Sequence, residues 1–245
     1  MFAVYNATKS AWLLVLLVTW AALLLGSVAA NWSPLLQPSQ RPQTVTWLRL
    51  ASSATLVLAG WIWYLATRDT PGVAVFALLI AVGMTCGFLG DLLLADVLPL
   101  SQGFLAGMAA FALGHLAYIA AILSLTTRVQ WAIEGIALLV GLVGWYLVVF
   151  RSGKDAMLRW AALPYTLLLT TTAGLATGLA IQEPAFLPLA IGAALFLISD
   201  LLVAGKQFGS LRIPHGDDAI WLSYGPAQML IVYAVNSALL VATTR

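Results

Sequence analysis

Charge is scarce in this sequence. Asp, Glu, Lys and Arg make up 8% of its 245 residues, where a soluble domain carries about a quarter. That shortage excludes a soluble enzyme. A net charge of +2, spread over short loops with no run of like charges, excludes a nucleic-acid footprint. The single cysteine, Cys86, excludes an intrachain disulfide and a cysteine metal cluster. Two histidines far apart, His115 and His215, leave no expected zinc site, and no metal or other cofactor is expected. There is no Gly-x-Ser-x-Gly elbow, and Ser199 beside Asp200 has no histidine near it in sequence to complete a triad.

What remains is apolar: 62% of the residues are hydrophobic, arranged in runs of about 20, enough to cross a hydrocarbon core. The pattern predicts an all-α, polytopic membrane bundle of eight spans at roughly 11–30, 46–66, 73–95, 103–125, 131–150, 160–181, 185–204 and 219–241. Residues 1–245 are expected to form one integral membrane domain. The first run, between Lys9 and Val28-Ala29-Ala30, resembles a signal peptide, but with seven spans behind it a retained helix is expected. Arg41, Arg49, Arg151, Lys154, Arg159, Lys206 and Arg212 fall on the side of the odd-numbered loops, and Lys9, Arg68, Arg128 and Arg245 on the side of the termini. That balance predicts odd-numbered loops in the cytoplasm, of a bacterial cell membrane by expectation.

Two stretches break the apolar monotony. Gly90-Asp91-Leu92-Leu93-Leu94-Ala95 closes span 3, and Ser199-Asp200-Leu201-Leu202-Val203-Ala204 closes span 7, with the aspartates 109 residues apart. The match fits a parallel repeat of four helices plus four, or convergence on a common helix ending. Each aspartate lies about 6 Å inside its span end, on the same side of the membrane. Span 8 starts from that side and carries Tyr224 and Gln228 on one face, and span 4 carries His115 and Tyr118 deeper in. Arg49 lies near the mouth of span 2. An intramembrane carboxylate is costly unless it is paired or faces water, so this half-bilayer cluster is the candidate site. Two close carboxylates do not both ionise readily, which lets one act as acid and the other as base. The competing reading is that they join helices through Ser199, Tyr224 or Arg49.

Other features read more plainly. Gly83, Gly87 and Gly90 form a small-residue face for close helix packing. Phe104, Met108, Phe111, His115 and Tyr118 form one packing stripe on span 4. Trp12, Trp32, Trp47, Trp131, Trp160 and Trp221 suit an interfacial belt, and Glu134 and Asp155 are expected in solvent.

Gly90-Asp91, Phe104-x-x-Gly107-x-x-x-Phe111-x-x-x-His115-x-x-Tyr118, Gly192-Ala193-x-x-Phe196-x-x-Ser199-Asp200 and Tyr224-x-x-x-Gln228, in that order, resemble the YhhN/TMEM86 family. Family members often carry a Lys-Pro at the entry to span 2, from which Arg41-Pro42 and Arg49-Leu50 depart. The resemblance implies an eight-helix lysoplasmalogenase, which hydrolyses the vinyl ether bond of a lysoplasmalogen to a fatty aldehyde and a glycerophosphoethanolamine or -choline. Asp91 and Asp200 would then be the catalytic pair. His115, Tyr118, Ser199, Tyr224, Gln228 and Arg49 would bind and orient the substrate, with Lys206 or Arg212 also near phosphate. The expected partners are a lysophospholipid and membrane lipids, with oligomeric state left open. The main rival is a small-molecule or lipid transporter. An intramembrane aspartyl protease is disfavoured, because Gly87-x-x-Gly90-Asp91 is not that class's Gly-x-Gly-Asp.

Overall fold

The structure, a computed structural model, describes residues 2–153, 155–209 and 215–244, with side chains from Ala11 onward. Lys154, Arg212 and Arg245 lie outside the described residues, as does the side chain of Lys9, so four of the charges used for orientation stay with the sequence. Eight helices in the described chain are long and apolar enough to cross a membrane, and no described residue is in a strand. They are α1 (Phe2–Trp32), α2 (Arg41–Thr67), α3 (Ala74–Leu94), α4 (Gly103–Leu125), α5 (Trp131–Gly144, carried on by a π turn and a 3₁₀ turn so that its span ends at Ser152), α6 (Ala156–Gln182), α7 (Leu187–Phe208) and α8 (Gly216–Thr244). The protein is a multi-pass membrane protein.

Every predicted span finds its helix, but some ends move, with consequences for depth. Pro42 sits in the first turn of α2, where its missing N–H costs nothing, so the helix starts at Arg41. Arg49 is therefore eight residues into α2, about 12 Å from the start of the helix. Arg41 instead fastens the α1–α2 turn by donating to the carbonyls of Ser33 and Leu36. Helix α7 runs on through Lys206 to Phe208, where Gly209 caps it at φ 68°. Asp200 thus lies about 12 Å from its helix end, twice the depth expected from sequence.

Six helices close a ring in the order α2, α3, α4, α6, α7, α8 and back to α2; α1 packs outside on α2, and α5 outside on α6. The first half's neighbour pairs α1–α2, α2–α3, α3–α4 and α4–α6 recur in the second as α5–α6, α6–α7, α7–α8 and α8–α2. A parallel four-helix repeat gives this pattern. The symmetry fails at one place that matters. Helix α3 reaches α8 across the ring, whereas the counterpart pair, α7 and α4, keeps its backbones further apart and meets through side chains, Phe196 against Phe111 and His115. The ring is closed on one side and gapes on the other.

The closed side is tight because glycine makes it so. A Cβ on Gly83 would stand 2.3 Å from the Tyr118 ring, and Tyr118 cannot swing away without leaving Gln228. Gly83→Ala should destabilise the protein by about 1–3 kcal/mol through overpacking. Gly26→Ala, with nothing within 4 Å of its Cβ, should be neutral or stabilising within about 1 kcal/mol. Thermal unfolding of the two variants in detergent checks the contrast; equal effects would mean the α3–α4 seam is looser than drawn.

Candidate active site

The gap between α4 and α7 is a cavity of about 680 Å³, within the range of about 300–1,000 Å³ typical of ligand pockets. Its walls are mostly apolar, with Phe104, Met108 and Phe111 from α4 facing Leu197 and Leu201 from α7. The span 4 stripe is thus half cavity wall and half packing surface. Both aspartates line the cavity, and they lie within electrostatic reach of each other.

The two carboxylates are held differently. Asp91 is buried on α3. Its Oδ2 accepts from Ser53 Oγ of α2 at 2.5 Å and from Tyr224 OH of α8 at 3.0 Å. A donor chain stands behind it: Tyr118 OH donates to Gln228 Oε1 at 3.0 Å, and Gln228 Nε2 donates to Tyr224 OH at 2.7 Å. The donors in this chain all run towards Asp91, which also lines the cavity. Hydroxyl donors aimed at one carboxylate oxygen stabilise its charged form. Asp200 on α7 is half-buried and accepts one bond, from Tyr165 OH of α6.

Each tyrosine that donates to an aspartate has a proline close by in its helix, Pro164 in α6 and Pro226 in α8. The prolines cannot donate to Trp160 and Leu222, four residues back, and loosen the ladder beside the side chains that meet the aspartates.

His115 stands behind the wall and does not line the cavity. Thr172 Oγ1 gives its own proton to the Leu168 carbonyl, so at 3.0 Å from His115 Nδ1 it accepts. That assigns a neutral ring with Nδ1–H. Nε2 is left without a partner, enclosed by Tyr118, Tyr165 and Phe196. Tyr118 and Gln228 also sit behind the wall, and act on the cavity only through Tyr224. Ser199 lines the cavity while donating to the Ile220 carbonyl at 3.3 Å.

The mouth carries both signs of charge. Arg49 lines it, ion-paired with Asp218, and its Nε is buried without a partner. Lys206 and Asp217 form a second, exposed pair at 2.5 Å. Arg212 is outside the described residues. Trp221, assigned to the interfacial belt from sequence, lines the cavity instead and lies under the Arg49 guanidinium at 5.7 Å.

Sequence reasoning missed Ser53 and Tyr165, the hydroxyls from the helix preceding each aspartate. They lie 38 and 35 residues upstream of their carboxylates, and the repeat itself is the signal that could have paired them. Glu134 is a correction: it is 7% exposed, with Oε2 unpartnered in a slot that Gly174 leaves open, and is not in solvent. Asp155 caps α6 from an exposed position, as expected. Tyr165→Phe removes the one donor to Asp200 and should cut turnover by about ten-fold or more at unchanged fold, since one hydrogen bond to a charged group is worth about 1.5–3 kcal/mol. Initial rates beside a melting curve check this, and full activity would mean that Tyr165 only packs.

No described residues group as three or more His, Cys, Asp or Glu able to hold a metal. The model of the YhhN family matches residues 45–235, well over half the chain and containing every residue of the site. No curated protein and no solved structure shows a significant match.

Proposed function

The chain belongs to the YhhN family, and from that premise we propose that it hydrolyses the vinyl ether bond of lysoplasmalogens, releasing a fatty aldehyde and a glycerophosphoethanolamine or -choline. The observation that carries the reading is two carboxylates on one apolar cavity within the membrane span, one of them held by two hydroxyl donors.

An enol ether is hydrolysed by proton transfer to its β-carbon. The resulting oxocarbenium ion is captured by water, and the hemiacetal collapses to aldehyde and alcohol. One water is consumed, and the acid that gave its proton recovers one from that water. The steps need a carboxylic acid, a carboxylate beside the cation and an apolar site that admits few waters. Asp91, with two O–H donors on Oδ2, suits the charged role: it stabilises the oxocarbenium ion and takes the proton of the attacking water. Asp200, with one donor, is the acid. Tyr224 holds Asp91 in place; Gln228 and Tyr118 hold Tyr224. His115, neutral and behind the wall, fixes Tyr165 and Phe196 rather than touching substrate. The mixed-charge mouth suits a zwitterionic head group, with Arg49 and Lys206 for phosphate and Asp217 for the amine. In this reading the mouth, on the odd-loop side, faces the cytoplasm, as the loop charge balance favours.

The test is aldehyde release from a lysoplasmenyl-ethanolamine by the purified protein in detergent, with no gradient. Stoichiometric aldehyde and glycerophosphoethanolamine support the reading. No product from folded protein, with gradient-driven uptake in vesicles, would replace it by transport.

A further inference from the structure

Away from the charged mouth, the cavity extends to a groove between α5 and α7. Val140, Gly141 and Gly144 of α5 line it opposite Leu197, Ile198 and Leu201 of α7, with Thr166 and Leu169 of α6 as floor. Helices α5 and α7 form the walls of this groove yet hardly touch along it. They meet through the turn Trp145–Val149, where the helix widens to π geometry before a 3₁₀ turn. Below that turn, Trp145 is pinned to α6: Nε1 donates to the Arg159 carbonyl at 3.0 Å, and the ring packs on Trp160. Above it, α5 stands off from α7. Val140, Ile198 and Leu201 on the rims are 54%, 49% and 39% exposed, and no described element covers them. Gly144 lies about 12 Å from the end of its span, and Asp200 about 12 Å from the end of α7, so the groove opens at the carboxylate's own depth. Among the eight spans α5 is the least buried, and π turns of this kind often mark functional places.

We infer that the groove between α5 and α7 is the binding site for the single alkyl chain of a lysolipid, which reaches the carboxylates sideways from the bilayer with its tail left between the two helices. Only an apolar chain suits it. The groove lies at hydrocarbon depth, its rims are aliphatic, and its inner end is Asp200 with Tyr165. A chain lying there, with its head group at Arg49 and Lys206, presents the tail-side carbon of its first bond to Asp200 and the glycerol oxygen towards Asp91. In that last respect the inference rests on the hydrolase reading; the chain site itself does not.

Two experiments on the full-length protein in nanodiscs test it. The first uses a non-hydrolysable alkyl-ether lysolipid with a diazirine on its terminal carbon. Photolysis and peptide mapping should place adducts on 139–144 and 197–201, competed by unlabelled lysolipid. Adducts spread evenly over the lipid-facing helices, or gathered on α1, would overturn the site. The second uses Gly144→Leu. A Cβ there meets only Leu201 Cδ1, at 3.8 Å, so the position opens on the groove that a leucine would fill. It should lower kcat/KM for a hexadecenyl substrate by about ten-fold or more, and change that for a butenyl substrate by less than about two-fold. Equal losses on both, or none on either, would refute the groove as chain site. If the label lands in the groove but no vinyl ether is cleaved, the hydrolase reading falls and the chain site stands.

Discussion

Asp91→Asn and Asp200→Asn should each lower aldehyde release by about 100- to 10,000-fold, the range that one general acid or base contributes. Neither change should unfold the protein. In Asp91→Asn the new amide oxygen can still accept from Ser53 and Tyr224, and in Asp200→Asn it can still accept from Tyr165. A loss of rate at an unshifted melting temperature would therefore read chemistry and not assembly. The pair should behave as a unit: the double variant should be hardly slower than the worse single one, because a step that lacks its acid gains little from its base. The roles separate by rescue. Formate anion should restore part of the rate to Asp91→Asn, where a charge beside the cation is missing. A buffer acid in its protonated form should restore part of it to Asp200→Asn, where a proton donor is missing. Retention of more than about a tenth of the activity by either variant would remove that aspartate from the mechanism.

The aspartates were legible because a charge inside an apolar run stands out along the chain itself, without any knowledge of neighbours. Tyr224 and Gln228 were legible for a weaker reason: their four-residue spacing puts two polar groups on one helical face. Ser53 and Tyr165 were not, because a hydroxyl in a helix is inexpensive. A serine, like a threonine, can bond the carbonyl three or four residues back, as Thr166 does with Ala162, and a tyrosine reads as an aromatic packing residue with a polar tip, so neither signals anything until its partner across the bundle is seen. His115 was legible as a polar group but not as to purpose. Its placement behind the wall depends on Thr172, 57 residues away. Glu134 was misread for a similar reason. Proximity to a helix end usually means water, but Gly174 on the next helix leaves a slot that takes the carboxylate in. The cavity was the least legible feature. Two similar halves would close two similar seams; the sequence shows only a short match between the two aspartate stretches, whereas the opening comes from where packing departs from that likeness.

That departure also sets what holds the charged mouth together. Asp218→Leu should destabilise the empty protein by about 3–5 kcal/mol, the cost of stripping one partner from a buried ion pair. The side chains of Arg49 and Asp218 are 9% and 7% exposed, so water cannot replace the lost carboxylate. Asp218 does more than neutralise Arg49. Its Oδ2 accepts from Asn31 Nδ2 at 2.9 Å and Trp32 Nε1 at 3.1 Å, both at the end of α1. It also lies in the first turn of α8, where a negative charge suits the helix dipole. One carboxylate thus ties three helices. Arg49→Met should be milder, because Asp218 keeps two neutral donors and its helix terminus. The double variant Arg49→Met/Asp218→Leu should recover part of the loss of Asp218→Leu alone, since no buried charge is then left unpaired. Melting curves of the three variants in one detergent give the cycle. Should Asp218→Leu cost no more than Arg49→Met, the guanidinium is reaching water through the cavity, and the mouth is wetter than its burial implies. Arg49 would then be free to turn to a phosphate without first releasing Asp218. With the predicted asymmetry, head-group binding must compete with Asp218 for the same guanidinium, and Asp218→Asn, which loosens that hold, should lower KM for the lysolipid while it lowers stability.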